Sequence, residues 1–167
     1  RTVTVITASQ ISQSPATNVT ELLQQVAGID MRRRGVNGMQ ADLYIRGGSF
    51  DQTLVLIDGI KVEDAQTGHH TMNMALPIEV IERIEIIKGP AARIFGQNAF
   101  TGAINIVTKK NTNNVNTAGF QVGSFGQQHA TGTTGIDFNR TSIIAHASVY
   151  TSDGYRHNTD FKNHNYF

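Results

Sequence analysis

Apolar and polar positions alternate over residues 83–88, with Ile84 and Ile86 on one side and Arg83 and Glu85 on the other. That is the period of a half-buried strand. Gly89 allows a sharp turn, and Pro90 suits the first position of a helix, where its missing N–H would go unbonded anyway. Residues 91–95 read as one helical turn, which Gly96 can stop in the left-handed conformation. Ile104 and Ile106 then face one way and Asn105 the other. The stretch 82–109 therefore predicts strand, turn, short helix, turn, strand.

Upstream, residues 2–7 alternate Val3 and Val5 with threonines, a first strand. Asn18 can cap a helix, with Glu21 completing a capping box. Val19, Leu22, Leu23 and Val26 then form an apolar stripe that Gly28 ends. Residues 29–34 predict a short strand, 35–40 a turn with Asn37-Gly38 at its tip, and 42–46 a strand with Leu43 and Ile45 inward and Tyr44 outward. Residues 53–57, TLVLI, are continuously apolar, the pattern of a strand buried on both faces and so expected at the centre of its sheet. Asp58-Gly59 makes a tight turn. Residues 63–76 have no period and form a loop of functional length. Pro77 opens a short helical turn over 78–82.

After Lys109 the pattern changes. A polar linker over 111–116 leads to three strands at 117–125, 127–137 and 142–151, with a fourth beginning at 164–167. In the third, Ile143, Ala145, Ala147 and Val149 share a face, and Ile144, His146, Ser148 and Tyr150 the other. An antiparallel meander with one apolar and one small polar face suits the wall of a barrel, and equally the edge of a soluble sandwich.

Composition narrows the chemistry. The chain has 167 residues, no cysteine and a formal net charge of +1. There is thus no disulfide framework, thiol catalysis or zinc–thiolate site, and no electrostatic case for nucleic acid. No apolar run approaches the ~20 residues of a membrane-spanning helix. The run Arg32-Arg33-Arg34 reads as a solvated strand end, and the glycosylation-like triplets at Asn18 and Asn139 as chance. The turn at Gly89 lacks the Lys-Ser/Thr of a phosphate loop. Asp51, Asp58, Glu63 and Asp64 occupy turn positions where local hydrogen bonding favours acidic residues. No nucleophile elbow is present, so no enzyme activity, cofactor or resident metal is expected. The adjacent His69 and His70 point to opposite sides of an extended loop and cannot chelate one metal from one face.

One ungapped run carries a resemblance: Glu82-Arg83-Ile84-Glu85, Lys88-Gly89-Pro90, Phe95-Gly96, Asn98-Ala99 and Gly102-Ala103-Ile104-Asn105-Ile106 with Thr108. With Ile45-Arg46-Gly47 and Leu56-Ile57-Asp58-Gly59, it resembles the plug domain of TonB-dependent outer-membrane receptors. The resemblance implies an α+β plug, a small mixed sheet with short helices, over residues 1–109. Antiparallel strands of a partial transmembrane β-barrel would follow over 110–167. A barrel of this type has roughly 22 strands around a plugged lumen, so the chain is expected to be a piece of a longer protein.

The family further implies import of a scarce, bulky nutrient across the outer membrane of a Gram-negative bacterium. The cargo classes are ferric siderophores, cobalamin and haem, with the spacing around residues 54–73 closest to the cobalamin and siderophore receptors. Oligosaccharide or peptide import is the alternative within the class, and a soluble β-rich binding module the rival outside it. By position in the family, Ser49, Phe50, Asp51, Gln52, Gln66, Thr67, His69, His70 and Asn73 are expected to face the ligand. Arg46, Glu82, Arg83 and Lys88 are expected at plug–barrel contacts, the two arginines pairing with barrel carboxylates. The partners implied are the imported small molecule, the rest of the barrel, the outer membrane, and TonB, which grips a short motif ahead of the plug. No such motif is read before Val3.

Overall fold

The computed structural model describes residues 2–35, 40–64, 66–74, 76–110, 116–139 and 141–167. The predicted Asn37-Gly38 tip, most of the 111–116 linker, and Arg140 of the last turn lie outside these. By contact the chain divides into two compact units, Arg1–Lys109 and Lys110–Phe167.

In the first unit the elements run β1 (Thr2–Thr7), α1 (Ala8–Gln13), α2 (Val19–Gln24), β2 (Ile29–Arg33), β3 (Ala41–Ile45), β4 (Thr53–Ile57), β5 (Ile60–Val62), β6 (Ile81–Lys88), α3 (Ala92–Phe95) and β7 (Gly102–Thr108). Five strands form one mixed sheet in the order β1-β6-β7-β4-β5, and β2 pairs with β3 in a separate two-stranded sheet. Only β4 against β7 is parallel within the larger sheet. This is the mixed-sheet α+β architecture that the resemblance implies.

The register explains the core. Ile84 and Ile86 of β6 stand opposite Ile106 and Ile104 of β7, and all four are fully buried. On the reverse face, Leu54, Leu56 and Ala103 pack against Ala91 and Ala99, with Ile87 and Phe95 at the margin. The continuous apolar run of β4 is thus buried on both faces, as its pattern predicts. Its expected central place is corrected: β7 is the middle strand. The excursion between β6 and β7 covers the second face of β4, so double burial does not require the centre.

That excursion is closed like a purse by two backbone bonds. The Gly89 N–H donates to the Thr101 carbonyl and the Ala91 N–H to the Ala99 carbonyl, each at 2.8 Å. Because Ala91 is held in this bridge, α3 starts at Ala92 and Pro90 precedes the helix rather than opening it. β6 and β7 are antiparallel, so the stretch is not a βαβ unit. Gly102 must be glycine for reasons of space: an added Cβ would lie 2.5 Å from the Ile87 carbonyl oxygen and 3.0 Å from Ile45 Cδ1.

Asp58 ties the strands' ends. Its carboxylate accepts the Thr108 N–H at 2.8 Å and the Thr108 hydroxyl at 2.7 Å. Helix α2 follows its predicted cap, the Glu21 N–H donating to Asn18 Oδ1 at 2.9 Å. The Glu21 carboxylate reaches back to the Thr17 N–H at 2.7 Å. Val19, Leu22 and Leu23 are buried, and the helix stops at Gln24, short of Val26 and Gly28. Helix α1 has no apolar period, since Ile11 is its one buried residue; its sequence signal is the capping box between Thr7 and Gln10.

The second unit comprises β8 (Asn116–Val122), β9 (Gln128–Phe138), β10 (Thr141–Ser152) and β11 (Phe161–Tyr166). They form an antiparallel meander in the order β11-β10-β9-β8, with β11 longer than its predicted start. Cross-strand register puts Phe120, Ala130 and Val149 on one face, with Ile136 and Ile143. Thr133 and His146 share the other, joined between Thr133 Oγ1 and His146 Nδ1 at 2.8 Å.

Candidate ligand-facing site and motif contacts

The β2–β3 hairpin has two unlike faces. Ile29, Met31, Leu43 and Ile45 are buried in the core. The opposite face pairs Asp30 with Tyr44 and Arg32 with Asp42 across the strands. The Arg32 guanidinium donates to Asp30 at 2.9 Å and lies 4.6 Å above the centre of the Tyr44 ring. The hydrogen bond and charge of Asp30 hold Arg32 above its ordinary pKa. An open groove of about 460 Å³ runs along this face, lined by Asp30, Arg32, Tyr44, Arg46 and Ser49 among others.

Two loops meet the hairpin here. In the first, Phe50 follows β3 and sets its ring edge-on to Tyr44, centres 6.5 Å apart. In the second, His69 lies against Phe50, ring centres 4.2 Å apart and tilted by 33°. His69 Nδ1 donates to Asp42 at 2.8 Å, and the Asp42 side chain is 2% exposed against 32% for His69. The structure therefore brings Phe50 and His69 together and adds Asp42 and Tyr44, which sequence reasoning missed. Alternation gave only a weak hint: Asp42 shares a face with outward Tyr44 and is buried there under the loop.

The remaining predicted ligand residues build the loops. The Ser49 hydroxyl donates to Asp51, and the Gln52 side chain accepts the Ser49 N–H at 3.2 Å. The Gln52 carbonyl accepts the N–H groups of Phe100 and Thr101, each at 3.1 Å. Asp64 organises the second loop, accepting the N–H groups of Gln66 and Thr67 at 3.2 Å and the Thr67 hydroxyl at 3.0 Å. These bonds, first that from Gln66, lower its pKa to about 2. His70 is exposed, and its Nδ1 lies 3.4 Å from the Asn73 amide; the chain around the two histidines is a series of turns rather than the extended loop expected. Met72 and Leu76 are buried and anchor the loop's far end.

The motif residues expected at plug–barrel contacts have unequal surroundings. Arg83 is held by Glu82 at 2.6 Å and Glu85 at 2.8 Å, and Glu85 also accepts from the Asn105 amide at 3.0 Å. The Glu85 bond raises the Arg83 pKa, while the Asn105 bond, with Arg83, lowers that of Glu85. The Lys88 ammonium donates to the Ala27 carbonyl. Arg46 is exposed in a left-handed backbone conformation, φ +52°, near Gly89, where an added Cβ would sit 3.5 Å from its Nη1. Among the described residues no carboxylate lies within ion-pair distance of Arg46. The same residues hold no group of three or more His, Cys, Asp or Glu arranged for a metal ion.

Comparison with known proteins puts these features in a family. The model of the TonB-dependent receptor plug domain matches residues 1–103. The vitamin B12 transporter BtuB of Vibrio cholerae is 39% identical over 107 residues, covering 64% of this chain and 17% of that protein. Its counterpart in Vibrio vulnificus is 35% identical over 105 residues, 63% of this chain and 17% of that protein. The chain thus spans about a sixth of these curated relatives (17%). Among solved structures, the ferric-catecholate import receptor Fiu of E. coli matches with a TM-score of 0.65 and 25% identity, over 91% of this chain and 21% of that one. The ferric enterobactin receptor of Pseudomonas aeruginosa gives 0.65 at 23% identity, over 90% and 24%, a likeness of fold.

Proposed function

The chain belongs to the TonB-dependent receptor plug domain family, and on that premise we propose that it is the plug and first wall strands of an outer-membrane nutrient importer. Residues 1–109 are the plug that gates the lumen, and residues 110–167 begin the barrel. One observation carries the second half of this reading. The β8–β11 sheet leaves Phe120, Val122, Ile136, Phe138, Ile143, Val149 and Tyr166 exposed, while Thr133, His146 and Ser148 are buried. Alternation places the first set on one face and the second on the other. An apolar outer face and a polar inner face are what a strand needs between lipid and lumen.

The cargo is a scarce, bulky molecule of the corrinoid, ferric siderophore or haem class. A corrinoid heads the list because relatives above 30% identity are named vitamin B12 transporters. The loops carrying Ser49 to Gln52 and Gln66 to Asn73 face it, over the groove of the β2–β3 hairpin. Arg46, with an exposed guanidinium in that groove, is the plug's lock for a barrel carboxylate. Arg83 already has Glu82 and Glu85, so these residues brace the sheet, and Lys88 ties β6 to the turn at Ala27 between α2 and β2. TonB and the inner membrane supply the energy for transport.

The test is made on the intact receptor that contains this chain. Its band is expected to migrate differently before and after boiling in detergent, as a barrel does. Cells expressing it are expected to take up cyanocobalamin or a ferric siderophore only when TonB is present. A soluble, heat-insensitive product with TonB-independent uptake contradicts the proposal.

A further inference from the structure

Asp42 is the one buried acidic residue among the described residues, 3% exposed. Its cross-strand partner is Arg32, yet that guanidinium turns to Asp30 and Tyr44. The Asp42 carboxylate instead accepts from His69 Nδ1 at 2.8 Å and from Gln40 Nε2 at 3.5 Å. A carboxylate has only lone pairs to offer, so the imidazole is the donor. When His69 is neutral, its proton therefore sits on Nδ1 and Nε2 keeps a lone pair, the way a carboxylate fixes a tautomer elsewhere.

The ring plane is set as firmly as the tautomer. Phe50 covers one face of the imidazole at 4.2 Å, and Tyr44 braces Phe50 edge-on. Gly68 leaves room for this packing: an added Cβ would sit 3.2 Å from Phe50 Cε2, at a φ of +73° that disfavours other residues. The His69 side chain is still one-third exposed, at 32%, and Nε2 has no protein partner among the described residues. A buried negative charge behind the ring further disfavours an anion in front of it.

We propose that Asp42, Phe50 and His69 form a tautomer-fixed hydrogen-bond acceptor that selects cargo groups bearing N–H or O–H, such as a primary amide or hydroxyl, over carboxylates. This rests on the reading that the 63–73 loop faces cargo. Asp42 is a positioning residue, and His69 Nε2 touches the cargo.

Two measurements test it. Nitrogen-15 NMR of the histidine rings, on the chain in detergent at about pH 8, above the ordinary histidine range, is expected to show His69 as the Nδ1–H tautomer. The Nε2–H form there overturns the proposal. The second measurement uses the intact receptor and compares cyanocobalamin with its monocarboxylic acids, in which one side-chain amide has been hydrolysed. The wild type is expected to prefer the amide. Asp42→Asn, which favours the other tautomer, and His69→Phe, which keeps the ring packing without the acceptor, are each expected to reduce that preference about tenfold. An unchanged ratio in both variants overturns the proposal. No binding of either compound by the wild type overturns the corrinoid as cargo while the import reading is decided by TonB-dependent uptake, and the NMR result then shows whether the dyad itself stands.

Discussion

Replacing Gly102 by alanine sets two effects of opposite sign against each other. Gly102 opens β7 without a left-handed φ, so alanine meets no backbone strain and gains about 0.5–1 kcal/mol of strand preference over glycine. Against this, its Cβ would stand 2.5 Å from the Ile87 carbonyl oxygen and 3.0 Å from Ile45 Cδ1. Neither neighbour can yield cheaply. Ile87 belongs to the β6 ladder, paired with Ala103, and Ile45 is fully buried. Overpacking of this kind costs about 1–3 kcal/mol, and a clash with backbone belongs at the upper end. The net expectation is a loss of about 2 kcal/mol. With a urea slope of about 1.5 kcal/mol per molar, the unfolding midpoint of the Arg1–Lys109 unit falls by about 1.3 M. Urea melts followed by circular dichroism read this directly. A midpoint that stays put or rises refutes the claim that Gly102 is required by close approach of β6 and β3.

Leu56→Ala is expected to cost about 3–5 kcal/mol in the same melts, because the neighbours Ala91, Ala99 and Ala103 are too small to fill the cavity; a loss below 1 kcal/mol would sink the packing described. Asp64 has its folded pKa lowered to about 2 from an ordinary 3.8. Its contribution is therefore complete above the ordinary value and lost as pH falls through the folded one. The amide signals of Gln66 and Thr67 should titrate near 2 and cease to titrate in Asp64→Asn; a midpoint near the ordinary carboxylate value contradicts the loop's hydrogen bonding. Arg46→Gln should leave the chain's urea midpoint unchanged yet sensitise cells carrying the intact receptor to large antibiotics. Arg83→Gln should produce no more leak than the Glu82→Gln, Glu85→Gln double variant, and a leak confined to Arg83→Gln would show that its partner lies on the barrel.

Much of the fold was legible because it rests on local rules. Alternation at Ile84, Ile86, Ile104 and Ile106 gave the core face, and the glycines at 89 and 96 marked where the chain turns, whereas the close approach at Gly102 appears only in the structure. The late strands declared themselves by period two, and β10 its two faces as well. Sheet order was not legible, since an apolar run such as 53–57 reports burial on two faces and not which neighbour supplies it. Helix α1 was missed because one buried isoleucine makes no period. In the candidate site, Phe50 and His69 could be placed on loops, but their meeting depends on a contact spanning 19 residues of chain. Asp42 was hidden because burial of a carboxylate is decided by a distant histidine, which no window of sequence contains.

The central claim, that β8–β11 stand between lipid and lumen, is most directly tested by fluorescence quenching. The chain has no cysteine, so Val149→Cys and Ser148→Cys place a polarity-sensitive fluorophore on opposite faces of β10. In the intact receptor reconstituted into vesicles, with any cysteine elsewhere removed, spin-labelled lipid is expected to quench the probe at position 149 strongly and at 148 hardly at all. Equal quenching at both positions, or the reverse, would contradict the assignment of this sheet to a barrel wall.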